Sequence, residues 1–305
     1  MIGDVIDFLL RASRWLTRRL TALQRGRESR PPRDTSAQRA TVAGSTGTHD
    51  MARHPDESYY REQYWYWIAQ TLERAGISHA GKGLDLGCGQ GRLTLELARW
   101  LSEGTVCGVD ISMQAIEQAR SYAREANVTN IDYRQGAIAD VVRELPAAAF
   151  DVMLFTEVTF YYPAWREDME HALRALRPGG VLLAAFRPLY YDALMLVKAG
   201  MFEQVELLLQ QRHGRLFGGN VTHTWQTAEE IRQLIATEFK MELLELVGIG
   251  CCSGLEDDLH AGLARPSLLN EYERTQLMRL ETALGPMLPD TGRYLLAAAR
   301  KSWSA

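Results

Sequence analysis

Gly83-Leu84-Asp85-Leu86-Gly87-Cys88-Gly89-Gln90-Gly91-Arg92-Leu93-Thr94 is the stretch on which the reading of this 305-residue chain turns. It reads as the end of a buried strand, a turn of three glycines and the start of a helix. Gly87, Gly89 and Gly91 lack a Cβ, so the chain can bend sharply there and a ligand can lie against the backbone. The helix that follows offers unpaired N–H groups to polar or anionic groups. Such a turn is a nucleotide-type cradle, and its spacing narrows the nucleotide. The dinucleotide fingerprint G-x-G-x-x-G places its third glycine one residue later than this G-x-G-x-G. Here an acid, Asp85, stands two positions before the first glycine. A pyrophosphate has no need of a carboxylate there, whereas a ligand carrying positive charge is attracted to one.

Outward from the turn, strands and helices alternate. Gly83–Leu86, Thr105–Val109, Asp132–Arg134, Asp151–Phe155 and Val181–Phe186 read as strands. Gly91–Leu101, Met113–Glu125 and Trp165–Leu176 read as helices, and Pro178-Gly179-Gly180 as the turn before the fifth strand. Short apolar strands separated by helices argue for a parallel sheet covered on both faces. The second strand ends at Asp110, where a carboxylate can hold a ribose diol. Its competing reading is a helix N-cap, for which Ser112 is an equal candidate. After Pro188 the rhythm breaks. Leu189–Gln211 reads as a long helix interrupted at Gly200. Thr227 and Glu230 form a capping-box start, Met241–Val247 is a strand, Leu268–Leu284 a helix and Arg293–Ala299 a last strand.

The ordered set Asp85-x-Gly87-x-Gly89-x-Gly91, Val109-Asp110, Gly136-Ala137-Ile138, Phe150-Asp151-Val152-Met153 and Leu176-Arg177-Pro178-Gly179-Gly180 resembles the class I S-adenosylmethionine-dependent methyltransferases. The resemblance covers residues 83–186 well and its general pattern about 57–300. It implies an α/β, Rossmann-like fold: a seven-stranded, mostly parallel sheet with helices on both faces and an antiparallel final strand. It also implies S-adenosylmethionine as cofactor. By that resemblance Asp85, Gly87, Cys88, Gly89 and Gly91 line the methionine moiety and the turn. Asp110 holds the ribose hydroxyls, Ile111 and Ile138 sandwich the adenine, and Thr156 and Glu157 face cofactor and acceptor. Many members carry an acid after the glycine of the third motif; Ala137 stands there instead, so the adenine amino group needs another partner.

The fourth-strand run Thr156-Glu157-Val158-Thr159 is not the Asn/Asp-Pro-Pro-aromatic run of enzymes that methylate nucleobase or glutamine nitrogens. The following Phe160-Tyr161-Tyr162 is similar to the nodulation N-methyltransferases, a short likeness that supports only a small-molecule acceptor. Methyl transfer needs the acceptor aligned about 3 Å from the methyl and water excluded. A neutral amine needs little more. A hydroxyl gains from a general base, for which Glu157 and His223 are the candidates. Tyr161, Tyr162, Tyr190 and Tyr191 are candidate acceptor-pocket residues, although aromatics at helical spacing are more often core. The segment at about 189–225 reads as a helical substrate lid, because ligands sit where the strands of open α/β sheets end.

Upstream, residues 57–76 crowd Tyr59, Tyr60, Tyr64, Trp65, Tyr66 and Trp67 into one helix. It reads either as core or as a cover over the cofactor, in which case Tyr60 lies beside it and Arg61 reaches its carboxylate. Residues 27–56 are Pro/Gly/Ser/Thr-rich and read as a disordered linker. Residues 1–26 read as a basic amphipathic helix, a candidate for peripheral contact with anionic lipid or an accessory extension.

The apolar fraction of 46%, the charged fraction of 24% and the net charge of −4 describe an ordinary globular chain with no general attraction to nucleic acid. Residues 57–305 show no basic stripe with interleaved aromatics. Four cysteines, Cys88, Cys107, Cys251 and Cys252, suit neither a disulfide framework nor metal-ligand spacing, and point to reduced thiols in the cytoplasm. No apolar run approaches the roughly 20 residues of a membrane span. The expected function is a small-molecule N- or O-methyltransferase. A cofactor-binding subunit without turnover, with a regulatory or assembly role, is the alternative.

Overall fold

A computed structural model describes residues 41–42, 44, 50–161, 164–215, 221–254 and 264–303. The expected basic helix at 1–26 and Tyr162 lie outside the described residues. The body opens with helix α1 (Pro55–Arg74), then β1 (Lys82–Leu86), α2 (Arg92–Trp100), β2 (Thr105–Asp110), α3 (Met113–Glu125) and β3 (Ile131–Gln135). It continues with α4 (Ile138–Glu144), β4 (Phe150–Phe155), α5 (Trp165–Leu173) and β5 (Leu176–Phe186). The segment after Pro188 holds α6 (Leu189–Lys198), α7 (Phe202–Gln211) and a small hairpin, β6 (His213–Arg215) with β7 (Thr222–Thr224). The chain closes with α8 (Ala228–Gln233), β8 (Met241–Ile249), α9 (Glu271–Leu284) and β9 (Tyr294–Lys301).

The central sheet has the order β3-β2-β1-β4-β5-β9-β8. Strands β1 to β5 pair in parallel, and β9 runs antiparallel to both neighbours, β5 and β8. This is the Rossmann-like, seven-stranded arrangement with one reversed final strand. Alternation along the strands divides the core. Leu84, Leu86, Met153 and Phe155 pack on one face with Trp165, Met169 and Ile231. Val106, Val152, Leu154 and Leu183 pack on the other with Tyr64, Ile68 and Leu97. Pleating therefore turns Asp85, between Leu84 and Leu86, toward the α2 side, where the Thr94 hydroxyl meets it.

Several boundaries differ from the sequence reading for identifiable reasons. Helix α5 stops at Leu173 and β5 begins at Leu176, so Pro178-Gly179-Gly180 lies within the strand. A register shift opposite Phe150/Val152 and the left-handed φ of +75° at Gly179 absorb the turn. Helix α4, which follows Gly136-Ala137 directly, was not anticipated. The last helix starts at Glu271, because Asn270 and Glu273 form a capping box after a 3-10 turn at Pro266–Leu268. Helix α1 begins at Pro55 and residues 50–54 are fastened to the body, so residues 50–56 of the expected linker belong to the folded part, while 27–40, 43 and 45–49 lie outside the described residues. Among the described residues no helix is long and apolar enough to cross a membrane.

Candidate functional site

The C-terminal ends of β1, β2 and β4 open into a cavity of about 370 Å³. Gly87, Gly89 and Gly91 all have left-handed φ values, +78°, +52° and +79°. The turn is pinned from below, where Gly87 N and Cys88 N both donate to the Val109 carbonyl at 2.7 and 2.9 Å. Its glycines are required by packing as well as by φ. A Cβ on Gly87 would stand 2.2 Å from the Val158 Cγ2, and one on Gly91 2.3 Å from the Tyr133 hydroxyl oxygen.

Asp85 and Asp110 both line this cavity and are both buried. The Asp85 Oδ2 accepts from the Thr94 hydroxyl at 2.6 Å, while its Oδ1 is buried without a hydrogen-bond partner. Burial pushes this carboxyl up to about 7, against the Thr94 hydrogen bond, with Asp110 adding to the rise. A buried acceptor left open on a cavity wall calls for a donor. Asp110 accepts from Gly89 N (2.9 Å) and Ser112 N (2.8 Å), one bond per oxygen, which leaves lone pairs for a diol. Burial also raises the Asp110 pKa, opposed by these backbone N–H groups. Ser112 is the N-cap of α3, accepting from Ala115 N, so Asp110 is not needed for that role.

Cys88, Ile111, Ala137, Ile138 and Thr156 also line the cavity, forming a largely apolar slot beyond the two acids. The Cys88 thiol is pushed well up by burial, which makes it inert as a nucleophile. Glu157 also lines the cavity, with a φ of +57°, a strained conformation for a residue with a Cβ. It is held by Arg92, whose guanidinium bridges Glu157 and, at 2.5 Å, Glu57 of α1. Burial opposes the Arg92 charge, but Glu157 and Glu57 outweigh it and raise its pKa. Burial raises the Glu157 pKa, with Arg92 opposing.

Three carboxylates and one doubly paired guanidinium thus face the cavity. That balance disfavours a pyrophosphate and favours a cationic ligand. An S-adenosylmethionine fits it: the Asp85 Oδ1 suits an ammonium, the Asp110 carboxylate a ribose diol, and the Ile111, Ala137 and Ile138 slot a base.

Other expected site residues are elsewhere. Arg61 pairs with Glu96 (3.7 Å) and does not line the cavity; the cation on its wall is Arg92, the first residue of α2. Tyr60 is fully buried in the core and accepts from the Ser253 hydroxyl at 3.1 Å. The Trp and Tyr crowding of α1 is therefore mainly core packing. Tyr190 packs in the small core of the post-Pro188 segment with Leu196, Leu208 and Trp225, and Tyr191 accepts from Arg293. Neither lines the cavity. Tyr161 does, and its ring lies 5.1 Å from that of His223 on β7. His223 Nδ1 is buried without a hydrogen-bond partner, and burial, aided by Arg187, lowers the ring to about 4. Sequence reasoning missed Arg92, Gln90, Val158, Val42 and Met51 as lining residues. Arg92 was recoverable only from its place at the end of the glycine turn.

The family model described as "Methyltransferase domain" matches residues 77–229. Among curated proteins, the ubiquinone biosynthesis O-methyltransferase of Actinobacillus pleuropneumoniae is 34% identical over 135 residues, covering 43% of this chain and 56% of the relative. That of Acinetobacter baumannii is 32% identical over 108 residues, 35% of this chain and 44% of the relative. The alignments span about half the length of these relatives. Among solved structures, magnesium protoporphyrin IX methyltransferase from Synechocystis, with bound SAH, superposes with a TM-score of 0.56 at 13% identity, covering 87% of this chain and all of that one. A chain of the complex of the Haloferax volcanii Trm112 methyltransferase activator with its methyltransferase superposes at 0.53 and 14% identity, covering 88% and 98%. Both are likenesses of fold.

Proposed function

This chain belongs to the methyltransferase-domain family, and from that membership we propose that it transfers the methyl group of S-adenosylmethionine to an oxygen of a small-molecule acceptor. The observation that carries the cofactor reading is the buried, unpartnered Asp85 Oδ1 on the wall of the cavity that Asp110 shares. The oxygen acceptor is supported by the O-methyltransferase names of the curated relatives. When bound, the cofactor supplies an electrophilic methyl on a sulfonium. The protein's part is to bind, orient and deprotonate. Asp85 receives the ammonium and Asp110 the ribose hydroxyls; Ile111 and Ile138 enclose the base.

A hydroxyl acceptor must lose its proton. Glu157, held by Arg92 on the cavity wall, is our candidate base, and the rise that burial gives its pKa improves it in that role. His223 is neutral at physiological pH and can take a proton on Nδ1, though a ring lowered to about 4 is a weak base. Tyr161 connects His223 to the cavity. The segment at 189–225 would then set acceptor choice from above the strand ends.

The test is calorimetry with S-adenosylmethionine and NAD, followed by turnover on panels of hydroxyl and amine metabolites. Asp110→Ala is expected to weaken cofactor binding by about 10- to 100-fold, the loss of one or two charge-assisted hydrogen bonds. Unchanged affinity in that variant would refute the ribose assignment. Tight NAD binding with none of S-adenosylmethionine would refute the cofactor. Methylation confined to amines would refute the oxygen acceptor. Binding without any S-adenosylhomocysteine product would favour a non-catalytic subunit.

A further inference from the structure

Met51 reaches the wall of the cavity from a segment whose composition suggested only a linker. Asp50 to Arg53 form a short strap with its own turn: the Asp50 Oδ1 accepts from Arg53 N at 3.0 Å and the Asp50 carbonyl from His54 N at 2.9 Å. The strap is fastened at two places. Toward α3, the Tyr122 hydroxyl donates to the Asp50 Oδ2 at 2.9 Å, and the Arg53 guanidinium lies 4.1 Å from the Tyr122 ring centroid while pairing with Glu125. Toward the glycine turn, Ala52 N donates to the Gln90 Oε1 at 3.2 Å, and the Gln90 Nε2 donates to the Gln118 Oε1 at 2.9 Å. Gln90 sits between Gly89 and Gly91, so the strap is bonded to the turn that shapes the cavity.

The two fastenings differ in weight. The Arg53–Glu125 pair is more than half exposed and contributes little by itself. The Ala52–Gln90 bond is buried, and Ala52 is 7% exposed. Tyr122 makes both a hydrogen bond to Asp50 and a ring contact with Arg53, which makes it the side chain that holds the α3 end of the strap.

We propose that the Asp50–Arg53 strap is part of the cofactor site, with Met51 supplying an apolar wall and Tyr122 acting as a positioning residue for it. This rests on the reading of the cavity as the S-adenosylmethionine site. A thioether is suited to the place: it is apolar, polarisable and adapts its shape to a ligand. The site then includes residues upstream of the strand–helix repeat, and cofactor affinity depends on them.

The test is titration calorimetry and stopped-flow displacement with S-adenosylhomocysteine on the full chain. Met51→Ala is expected to raise the Kd about five- to tenfold, the loss of one half-buried apolar side chain from a ligand wall. Met51→Leu, close in volume, is expected to stay within about twofold of the parent. Tyr122→Phe is expected to speed dissociation several-fold while the ligand-free melting temperature stays that of the parent. If the parent binds and both Met51→Ala and Tyr122→Phe bind equally well, the strap proposal is overturned alone. A lowered ligand-free melting temperature with unchanged affinity would also overturn it, since the strap would then be only structural. If the parent binds no S-adenosylhomocysteine, the cofactor reading itself falls, and the strap proposal with it.

Discussion

Asp85 carries two opposing demands in one side chain. Its carboxyl is buried under the glycine turn, satisfied on one oxygen by Thr94 and open on the other. In the ligand-free protein that burial raises its pKa to about 7 from an unfolded value near 3.8. The folded state therefore holds the proton more tightly than the unfolded chain. The stabilisation this brings is complete below pH 3.8 and is lost as pH rises through about 7. Asp85→Asn should consequently be more stable than the parent at pH 8, by about 1–4 kcal/mol, with the difference vanishing near pH 4. The same variant should bind S-adenosylmethionine more weakly, because it cannot offer a negative charge to the ammonium. Denaturant melts at the two pH values, paired with calorimetry, measure both effects; a variant less stable at pH 8 would contradict the buried-carboxylate account. For the parent, cofactor affinity should rise with pH up to about 7, as the carboxyl ionises, and then level.

The glycine turn between β1 and α2 is the element on which the cavity depends, and it is constrained from two sides. Its φ values exclude most side chains, and Val158, just past β4, fills the space a Cβ at Gly87 would need. Gly87→Ala should therefore abolish cofactor binding and destabilise the fold. Gly87→Ala combined with Val158→Ala should recover part of the stability, leaving about 1 kcal/mol of left-handed strain. Equal melting temperatures for the single and double variants would show that the contact is not what matters. The boundaries of this element were legible from three glycines and an apolar run. The fifth strand was less so, since Pro178-Gly179-Gly180 looks like a terminator and is in fact accommodated within β5 by a register shift against β4. Gly179 does take a left-handed φ, but pairing with β4 on either side of it carries the strand through.

On the scale of the whole molecule, the segment after Pro188 is attached to the sheet through a buried polar knot. Arg187, at the end of β5, pairs with Asp192 of α6, and the Trp225 indole donates to the same carboxylate at 2.5 Å. All three side chains are nearly inaccessible to solvent. Removing the carboxylate leaves a buried guanidinium uncompensated, so Asp192→Ala should cost about 3–5 kcal/mol. Thermal unfolding of that variant should show the loss, and the acceptor KM should rise more than that of the cofactor, since the cavity at β1 and β2 lies apart from the knot. Equal losses for both substrates would place the knot's influence on the entire site.

What this sequence determined by itself is what is local. Asp85, the glycines and Thr94 lie within a dozen residues, and Asp110 follows one helix later, so their register is set by covalent spacing, by strand alternation and by the handedness of the crossover. The order of strands and helices also carried the parallel sheet, whereas its reversed last strand was legible only through the family resemblance. Only the tertiary structure decided which charges meet. Arg92 pairs across 35 residues with Glu57 and across 65 with Glu157, while Tyr122 reaches 72 residues back to Asp50. An apolar or aromatic stripe shows that one face of a helix avoids water. It does not show whether that face meets the core, as Tyr60 and Tyr190 do, or a cavity, as Tyr161 does. The difference comes from long-range packing, where the free energy of burial is settled by neighbours that the local chain does not contain.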